Sequence, residues 1–261
     1  MEIIGFIAAI GIGLILGLIG AGGSILTVPV MVYLFRIEPY LATTYSLFIV
    51  GISSLIGMVP YGKNKLVDYK TSFFFGIPSI LGVFIMRHYI HPMLPNEIIS
   101  TPDMIWTKDL LVMLLFALLM LKASFNMIFK KESSTIAQKS KSSILKIGIQ
   151  GLMIGLLVGL VGAGGGFLII PALVIFNKMP IKTAIGSSLF IIAFNSLFGF
   201  LSSKNVLAIH WPLLLEITGI AIIGMLLGTW LSQRIDGSKL KPFFGYFVLL
   251  MGILIMMNEL L

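Results

Sequence analysis

Long apolar runs separated by short polar turns cover most of the chain. They lie at about residues 3–35, 41–60, 69–87, 109–129, 144–177, 182–202, 211–231 and 242–258. Six of these runs hold about 17–21 residues, enough for one helix to cross a hydrocarbon core of roughly 30 Å. The first and the fifth hold about 33 residues, and glycines interrupt each near its middle. The pattern predicts an all-α polytopic membrane protein with two interrupted apolar runs.

The chain contains an internal repeat. Residues 13–57 align without gaps onto residues 155–199 at a shift of about 142 positions, with about 19 identities. GLIGAGGSILTVP at residues 17–29 matches GLVGAGGGFLIIP at residues 159–171, and ATTYSLFI at residues 42–49 matches AIGSSLFI at residues 184–191. We therefore predict two homologous transmembrane halves, residues 1–130 and 144–261, joined by a Lys- and Ser-rich linker at residues 131–143.

Composition excludes several classes of protein. The 261 residues are 58% hydrophobic and only 11% charged, whereas soluble proteins are about 25% charged. This excludes an ordinary soluble enzyme and a disordered chain. The net charge of +8 does not indicate a nucleic-acid binder, because the basic residues lie between apolar runs, so the lipid bilayer is the expected partner. The chain has no cysteine, which excludes disulfides and thiolate chemistry.

The basic residues also predict how the halves are oriented. If each interrupted run crosses once, about 10 Lys and Arg lie inside and about 8 outside. If each run is a hairpin, about 14 lie inside and about 4 outside, a much stronger inside bias. The hairpin arrangement gives each half about five membrane segments. It predicts two inverted repeats in the cell membrane, a cytoplasmic linker and both termini outside the cytoplasm.

The glycine-rich interruptions are the first candidate site. Inverted repeats with interrupted helices are typical of secondary transporters, which bind substrate between the repeats. Glycine allows a positive φ and a close approach to the backbone, and the next helix presents free N–H groups and the positive end of its dipole. Such a turn suits an anion; the alternative is close helix packing alone. The candidate substrate-binding residues here are Gly20, Ala21, Gly22 and Gly23 in the first half and Gly162, Ala163, Gly164, Gly165 and Gly166 in the second.

Small polar residues follow each interruption. Ser46, Ser187 and Ser188 lie beside the repeated motif, and Asn195 lies seven residues after Ser188, on the same face of a helix. Hydroxyl and amide groups can donate hydrogen bonds to a desolvated oxyanion, so these four residues complete the predicted substrate site. The alternative is that they join helices or bond to their own backbone.

Charged residues within the runs are few. Glu216 lies about one turn inside an apolar run, which makes it a candidate for proton coupling; the alternative is an interfacial carboxylate near the anchor Trp211. Arg36 and Lys178 occupy equivalent positions after the two second arms, where they would attract anions to opposite vestibules or simply extend to the interface. No metal-binding, hydrolase or Walker A motif is present, so we expect no cofactor, no metal and no enzymatic activity.

The doubled GxxGAGGG…P motif, followed by A-x-G-(S/T)-S-L, resembles the sulfite exporter TauE/SafE family of membrane transporters. The second half matches closely. The first half departs at three positions: Thr44 stands where the family usually has Gly, Tyr45 where it has Ser or Thr, and Ser24 where it has a third Gly. The resemblance covers nearly the whole chain. It implies transport of small sulfur-containing anions such as sulfite, thiosulfate or organosulfonates.

The sequence favours a secondary transporter for a small oxyanion that works by alternating access, with Glu216 as the candidate proton site. A channel-like anion pathway is the first alternative, and it would show neither saturation nor counterflow. A membrane scaffold is the second alternative, in which the glycines serve packing alone.

Overall fold

The computed structural model describes residues 2–20, 23–90, 93, 97–101, 104–129, 143–161, 168–203 and 209–260. These residues form ten α-helices, five in each half. The first half contains α1 (Glu2–Ile19), α2 (Gly23–Tyr33), α3 (Pro39–Lys63), α4 (Tyr69–Ile85) and α5 (Lys108–Phe129). The second half contains α6 (Ile144–Val161), α7 (Ile169–Phe176), α8 (Ile181–Leu201), α9 (Trp211–Arg234) and α10 (Gly237–Leu260).

Within the described parts of the chain, five helical segments are long and apolar enough to cross a membrane. They are Leu41–Lys63, Tyr69–Ile90, Ile181–Leu201, Trp211–Arg234 and Gly237–Met257. Two shorter apolar helices, Gly5–Ile19 and Ile144–Gly159, open the two halves. The outward faces carry exposed large side chains such as Phe73, Phe84 and Trp230, as expected where lipid replaces water. The predicted helical architecture is therefore confirmed, with five candidate membrane spans.

The first interrupted run is a hairpin. The chain turns at Gly20, whose φ is +80°, and α2 returns beside α1. At the far end of the hairpin, the rings of Phe6 and Phe35 lie 5.8 Å apart. In the second half, residues 162–167 lie outside the described residues, and α6 and α7 lie on either side of them.

The largest contact between two described helices joins the two halves, because α1 packs along α9. A Cβ added at Gly13 would meet the backbone of Ala221, and one added at Gly17 would lie 2.6 Å from Thr229 N. Residue numbers rise together along both helices, so α1 and α9 run parallel. Glycine allows this close approach because it has no Cβ.

The same contact recurs between α4 and α6. A Cβ added at Gly155 would lie 2.7 Å from Ser79 Cα, and one at Gly159 would lie 3.0 Å from Val83 Cα. Gly155 and Gly159 are the repeat equivalents of Gly13 and Gly17. The first helix of each half therefore packs in parallel against the fourth helix of the other half.

Equivalent helices meet directly at the centre of the fold. A Cβ added at Gly51 of α3 would lie 3.0 Å from the Leu197 side chain of α8, while further along α3 the Tyr61 Cβ approaches Gly186. Residue numbers rise along α3 as they fall along α8, so these two equivalent helices are antiparallel. The equivalent helices α5 and α10 are antiparallel as well, since Gly245 contacts Ile128 and Gly252 contacts Met120. In both of these pairs, a helix of one half runs in the opposite direction to its repeat equivalent in the other half.

A two-stranded antiparallel ribbon, β1 (Glu97–Thr101) and β2 (Met104–Thr107), precedes α5. It lies in a polar connection to which the apolar pattern assigned no element. The predicted linker at residues 131–143 lies outside the described residues, apart from Ser143 at its end.

Candidate functional site

The turn at Gly20 contacts the second half of the chain. A Cβ at this position would lie 2.7 Å from Ile185 Cγ2 and 3.1 Å from Ile170 Cδ1. Ser188 Oγ lies 3.5 Å from the Gly20 carbonyl oxygen and donates to Ile185 O at 2.8 Å. The interruption in the first half therefore lies against the start of α7 and the small-polar motif of α8.

The α2 helix begins at Gly23, three residues after this turn. The first four N–H groups of a helix have no acceptor within it, and the helix dipole adds partial positive charge there. Ala21 and Gly22, between the turn and the helix, lie outside the described residues, as do Gly162, Ala163, Gly164, Gly165 and Gly166 in the second half. The Ser188 hydroxyl therefore lies at the turn that precedes the start of α2.

The small-polar motif of α8, Gly186 to Ser188, packs against the residues that precede and begin α4. Ser187 Oγ accepts a hydrogen bond from Asp68 N at 3.0 Å, and the Asp68 carboxylate caps α4 by accepting from Thr71 N at 3.0 Å. A Cβ at Gly186 would meet the Leu66 carbonyl oxygen, so the glycine of this motif is required by packing. Ser187 is thus occupied in holding the two halves together, whereas Ser188 faces the Gly20 turn.

The repeat places an equivalent bond at the other end of the bundle. Tyr45 is the equivalent of Ser187, and its Oη accepts from His210 N at 2.7 Å. His210 is the equivalent of Asp68, and its Nδ1 accepts from Leu213 N at 3.4 Å. The departure of Tyr45 from the family pattern therefore keeps the hydrogen bond and changes only the side chain that makes it.

The half-buried Asn195 has a hydrogen-bond partner for one of its two amide atoms. Its Nδ2 donates to Ser79 Oγ of α4 at 3.0 Å, while its Oδ1 has no partner among the described residues. The equivalent pair in the first half is Ser53 and Ala221. Ala221 offers no polar group, which explains why the fully buried Ser53 hydroxyl has no partner in the described part of the chain. Asn195 therefore joins helices, as the alternative interpretation allowed.

The remaining predicted residues lie apart from this cluster. Ser46 is buried, with 3% of its surface exposed, on the helix after the first hairpin. Arg36 and Lys178 are exposed, and both have a positive φ, 56° and 51°. Glu216 is exposed on the outward face of α9, seven residues before Ile223, and does not approach Gly20 or Ser188.

Sequence reasoning missed three of the residues that form this region. Asp68 caps α4, and a D-x-x-T spacing before an apolar run was an available signal. Ser79 pairs with Asn195, and nothing in the sequence distinguished it from other buried serines. Tyr61 of α3 contacts α1, α8 and α9, and its Oη donates to Ser232 Oγ at 2.7 Å, although a tyrosine near the end of an apolar run usually indicates an interfacial anchor.

Among the described residues, no group of three or more His, Asp or Glu side chains could hold a metal ion. The polar atoms at the contact are the Ser188 hydroxyl and the carbonyl oxygens of Gly20 and Ile185, and the carboxylate of the nearby Asp68 is held by Thr71. This arrangement can bind a small polar or anionic ligand by hydrogen bonding.

The model of the sulfite exporter TauE/SafE family matches residues 5–255. The chain belongs to the sulfite exporter TauE/SafE family. It is similar to a probable membrane transporter protein of Xylella fastidiosa, with 29% identity over 97% of this chain and 95% of the relative. It is also similar to the probable membrane transporter protein YunE of Bacillus subtilis, with 28% identity over 95% of this chain and 96% of that protein. A third relative, a probable membrane transporter protein of Methanocaldococcus jannaschii, is 26% identical over 98% of this chain and 94% of that protein.

No solved structure matches this TauE/SafE chain. Family membership makes it a multi-pass membrane transporter and not an enzyme.

Proposed function

We propose that this chain is a secondary transporter that moves a small sulfur-containing oxyanion, such as sulfite, thiosulfate or an organosulfonate, by alternating access. The observation that carries the proposal is the contact between the Gly20 turn and Ser188, which brings an interrupted helix of one half against the repeated motif of the other. Secondary transporters bind their substrates at such repeat interfaces. Family membership supports transport, and the sulfur chemistry follows from the family description.

An inverted relation between the halves is part of the proposal. The equivalent helices α3 and α8 are antiparallel, as are α5 and α10. A two-fold axis along the membrane normal would make equivalent helices parallel, whereas an axis in the membrane plane makes them antiparallel. The contacts therefore support the inverted arrangement that the charge distribution predicts.

The sidedness follows from the basic residues. Lys63, Lys65 and Lys182 lie where α3 ends and α8 begins, and we name this the basic end of the bundle. Lys182 Nζ donates to Gln233 O at 2.9 Å there. By the positive-inside tendency, the basic end faces the cytoplasm, and both termini lie outside it.

Neutral donors suit a small anion in a membrane. A buried lysine would pair strongly with the anion and slow its release, whereas hydroxyl and N–H groups of a preorganised turn bind it without a fixed counter-charge. The N–H groups at the start of α2 would supply such donors on the first-half side, and the Ser188 hydroxyl would add one when it turns from the Ile185 carbonyl oxygen to the ligand. By the repeat, Ser46 and the glycines at residues 162–166 supply the second set.

Flux into proteoliposomes tests the proposal. Labelled sulfite, thiosulfate and an organosulfonate are offered separately, with and without a pH gradient and with unlabelled anion inside. We expect saturable uptake and counterflow for at least one of them, with Ser188→Ala lowering flux about tenfold or more. Ser202→Ala is the matched control, because Ser202 is an exposed serine whose hydroxyl donates to its own helix at Phe198 O.

The alternatives predict other results. Flux without saturation or counterflow would indicate a channel. A folded protein that moves none of these anions would refute the proposed substrate class and favour a scaffold. Proton coupling through Glu216 predicts that Glu216→Gln abolishes the response to the pH gradient while counterflow continues.

A further inference from the structure

The helix α5 has one side towards α10 and one side towards lipid. Met120 and Met127 are buried on the side towards α10. The outward side carries Phe125 and Phe129, each more than half exposed. Lys122 lies exposed on the same outward side, three residues before Phe125. A cation therefore lies among large apolar side chains that face the lipid.

Lys122 lies some distance inside the bundle rather than at its end. It precedes Phe129, the last residue of α5, by seven residues, or about 10 Å along the helix axis. Since Met120 lies against Gly252 of the antiparallel α10, Lys122 is level with the middle of that helix, inside the apolar segment Gly237–Met257. A cation at this depth needs a counter-charge or contact with water.

Among the described residues of α5 and its neighbours, no acidic side chain lies near Lys122. In α5 and α10 the acidic residues are Asp109 and Glu259, both near the other end of the bundle. Asp236, just before α10, accepts from Ser238 N at 3.2 Å. The helices α6 and α7, which also contact α5, contain no acidic residue. The chain itself therefore supplies no partner of opposite charge in this region.

An open groove of about 540 Å³ lies beside this lysine. Its described lining consists of Lys122, Phe125, Asn126 and Phe129. The rings of Phe125 and Phe129 stack with their centroids 5.5 Å apart, and Asn126 Nδ2 donates to Lys122 O at 3.1 Å. The groove thus combines a stacked aromatic wall with one ammonium group, and this combination fits an anion that carries an apolar chain.

The outward side of α10 provides a comparison within the same molecule. Its exposed residues include Leu250, Leu254 and Met257, and no charged residue lies between Lys241 and Glu259. Contact with lipid chains therefore does not by itself require a lysine at this level. The cation is particular to the helix of the first half.

We propose that this groove binds one anionic phospholipid, whose phosphodiester pairs with the Lys122 ammonium and whose acyl chain lies against Phe125 and Phe129. The α5 helix ends at the basic end, because α10 begins there and runs antiparallel to α5. The flexible stem of a lysine lets its ammonium extend towards that end, where headgroups lie. The occupant is a lipid rather than free phosphate because the groove opens on the lipid-facing side.

The charge along the chain favours an anionic headgroup over a zwitterionic one. Lys130 and Lys131 follow α5 directly in the sequence, and each lysine near a membrane surface adds to the attraction for anionic lipid. The cytoplasmic leaflet carries such lipids, so the choice of leaflet rests on the sidedness proposed above. Binding itself does not depend on that choice.

Lipid titration of the purified chain tests the site. The protein in a neutral detergent is titrated with phosphatidylglycerol, and native mass spectrometry measures the lipid-bound fraction. Phosphatidylcholine with the same acyl chains is titrated separately, and inorganic phosphate is added as a competitor. We expect wild-type protein to bind phosphatidylglycerol at least about fivefold more tightly than phosphatidylcholine, which is the effect of one lysine near an anionic headgroup. Inorganic phosphate should not displace the lipid.

Variants separate the groove from general surface charge. Lys122→Met should weaken phosphatidylglycerol binding about fivefold and leave phosphatidylcholine binding unchanged, whereas Lys122→Arg should bind as the wild type does. Lys70→Met is the matched control, because it removes another exposed lysine at the basic end, in the first turn of α4 and outside the groove. Phe129→Ala should weaken both lipids alike, since it removes apolar contact.

Thermal unfolding without added lipid separates binding from folding. Lys122→Met should be at least as stable as the wild type there, because it removes an unpaired cation from an apolar side. Four results would overturn the lipid site. They are equal binding of the two lipids by the wild type, unchanged phosphatidylglycerol binding in Lys122→Met, an equal loss in Lys70→Met, and displacement of the lipid by inorganic phosphate.

The flux measurements stand apart from these results. If the lipid results hold but none of the sulfur anions is transported, the substrate proposal fails alone. If transport occurs without selective binding of phosphatidylglycerol, only the lipid site fails.

Discussion

The glycines between α1 and α9 give the sharpest quantitative prediction. Alanine at Gly17 would place a Cβ 2.6 Å from Thr229 N, whereas unstrained contacts are about 3.5–4.0 Å. The helices must separate by about 1 Å, which forfeits a quarter to a half of the attraction at each contact. We expect Gly17→Ala to lower the free energy of unfolding by about 1–3 kcal/mol.

The same two helices contain their own controls. A Cβ added at Gly11 of α1 or at Gly219 of α9 would meet nothing within 4 Å. Alanine there favours the helix by about 0.5–1 kcal/mol. Equilibrium unfolding in mixed detergent should therefore give opposite signs for Gly17→Ala and Gly11→Ala. Equal destabilisation by both would refute the close-packing explanation.

Three further predictions concern single contacts. A double-mutant cycle with Asn195→Ala and Ser79→Ala should give a coupling of about 0.5–2 kcal/mol in detergent unfolding, since the cycle isolates their interhelical hydrogen bond; additive losses would contradict that bond. Gly20→Ala should cost about 1–2 kcal/mol for the positive φ and also reduce flux; a fully active and stable variant would argue against a strained turn. Lys182→Met should lower the unfolding free energy by at most about 1 kcal/mol, independent of salt, because its acceptor is the neutral Gln233 carbonyl; a strong salt dependence would indicate an ion pair instead.

Much of the fold followed from the sequence. Hydrophobic run lengths predicted the helices, because a membrane-crossing helix must satisfy its own backbone and has few possible lengths. The hairpin at Gly20 followed from the distribution of lysines. The pairing of α1 with α9 did not, although Gly13 and Gly17 show a small-xxx-small pattern, because such a pattern marks a contact face without naming its partner.

The candidate site was predictable to a smaller extent. Gly20 and Ser188 were both predicted because each belongs to the repeated motif, but their contact across the two halves is known only from the structure. Ser187 and Asn195 follow the same motif, but both form hydrogen bonds with α4 or its first residue. These bonds could not be predicted from the sequence, because they depend on the packing of helices that are distant in sequence. Tyr61 was missed because its role depends on three helices that converge from separate parts of the chain.

The exchange of helices between the halves has a consequence for how such a chain is made. Once the ribosome has delivered the first half, the glycine faces of α1 and α4 have no partner, because α9 and α6 have not yet been synthesised. Neither half can complete its own packing, so we infer that the early helices remain separate in the bilayer until the second half arrives. With the inverted arrangement proposed above, an ancestor consisting of a single half would have needed a second copy inserted in the opposite direction. Gene duplication would then have joined two chains that were already interlocked.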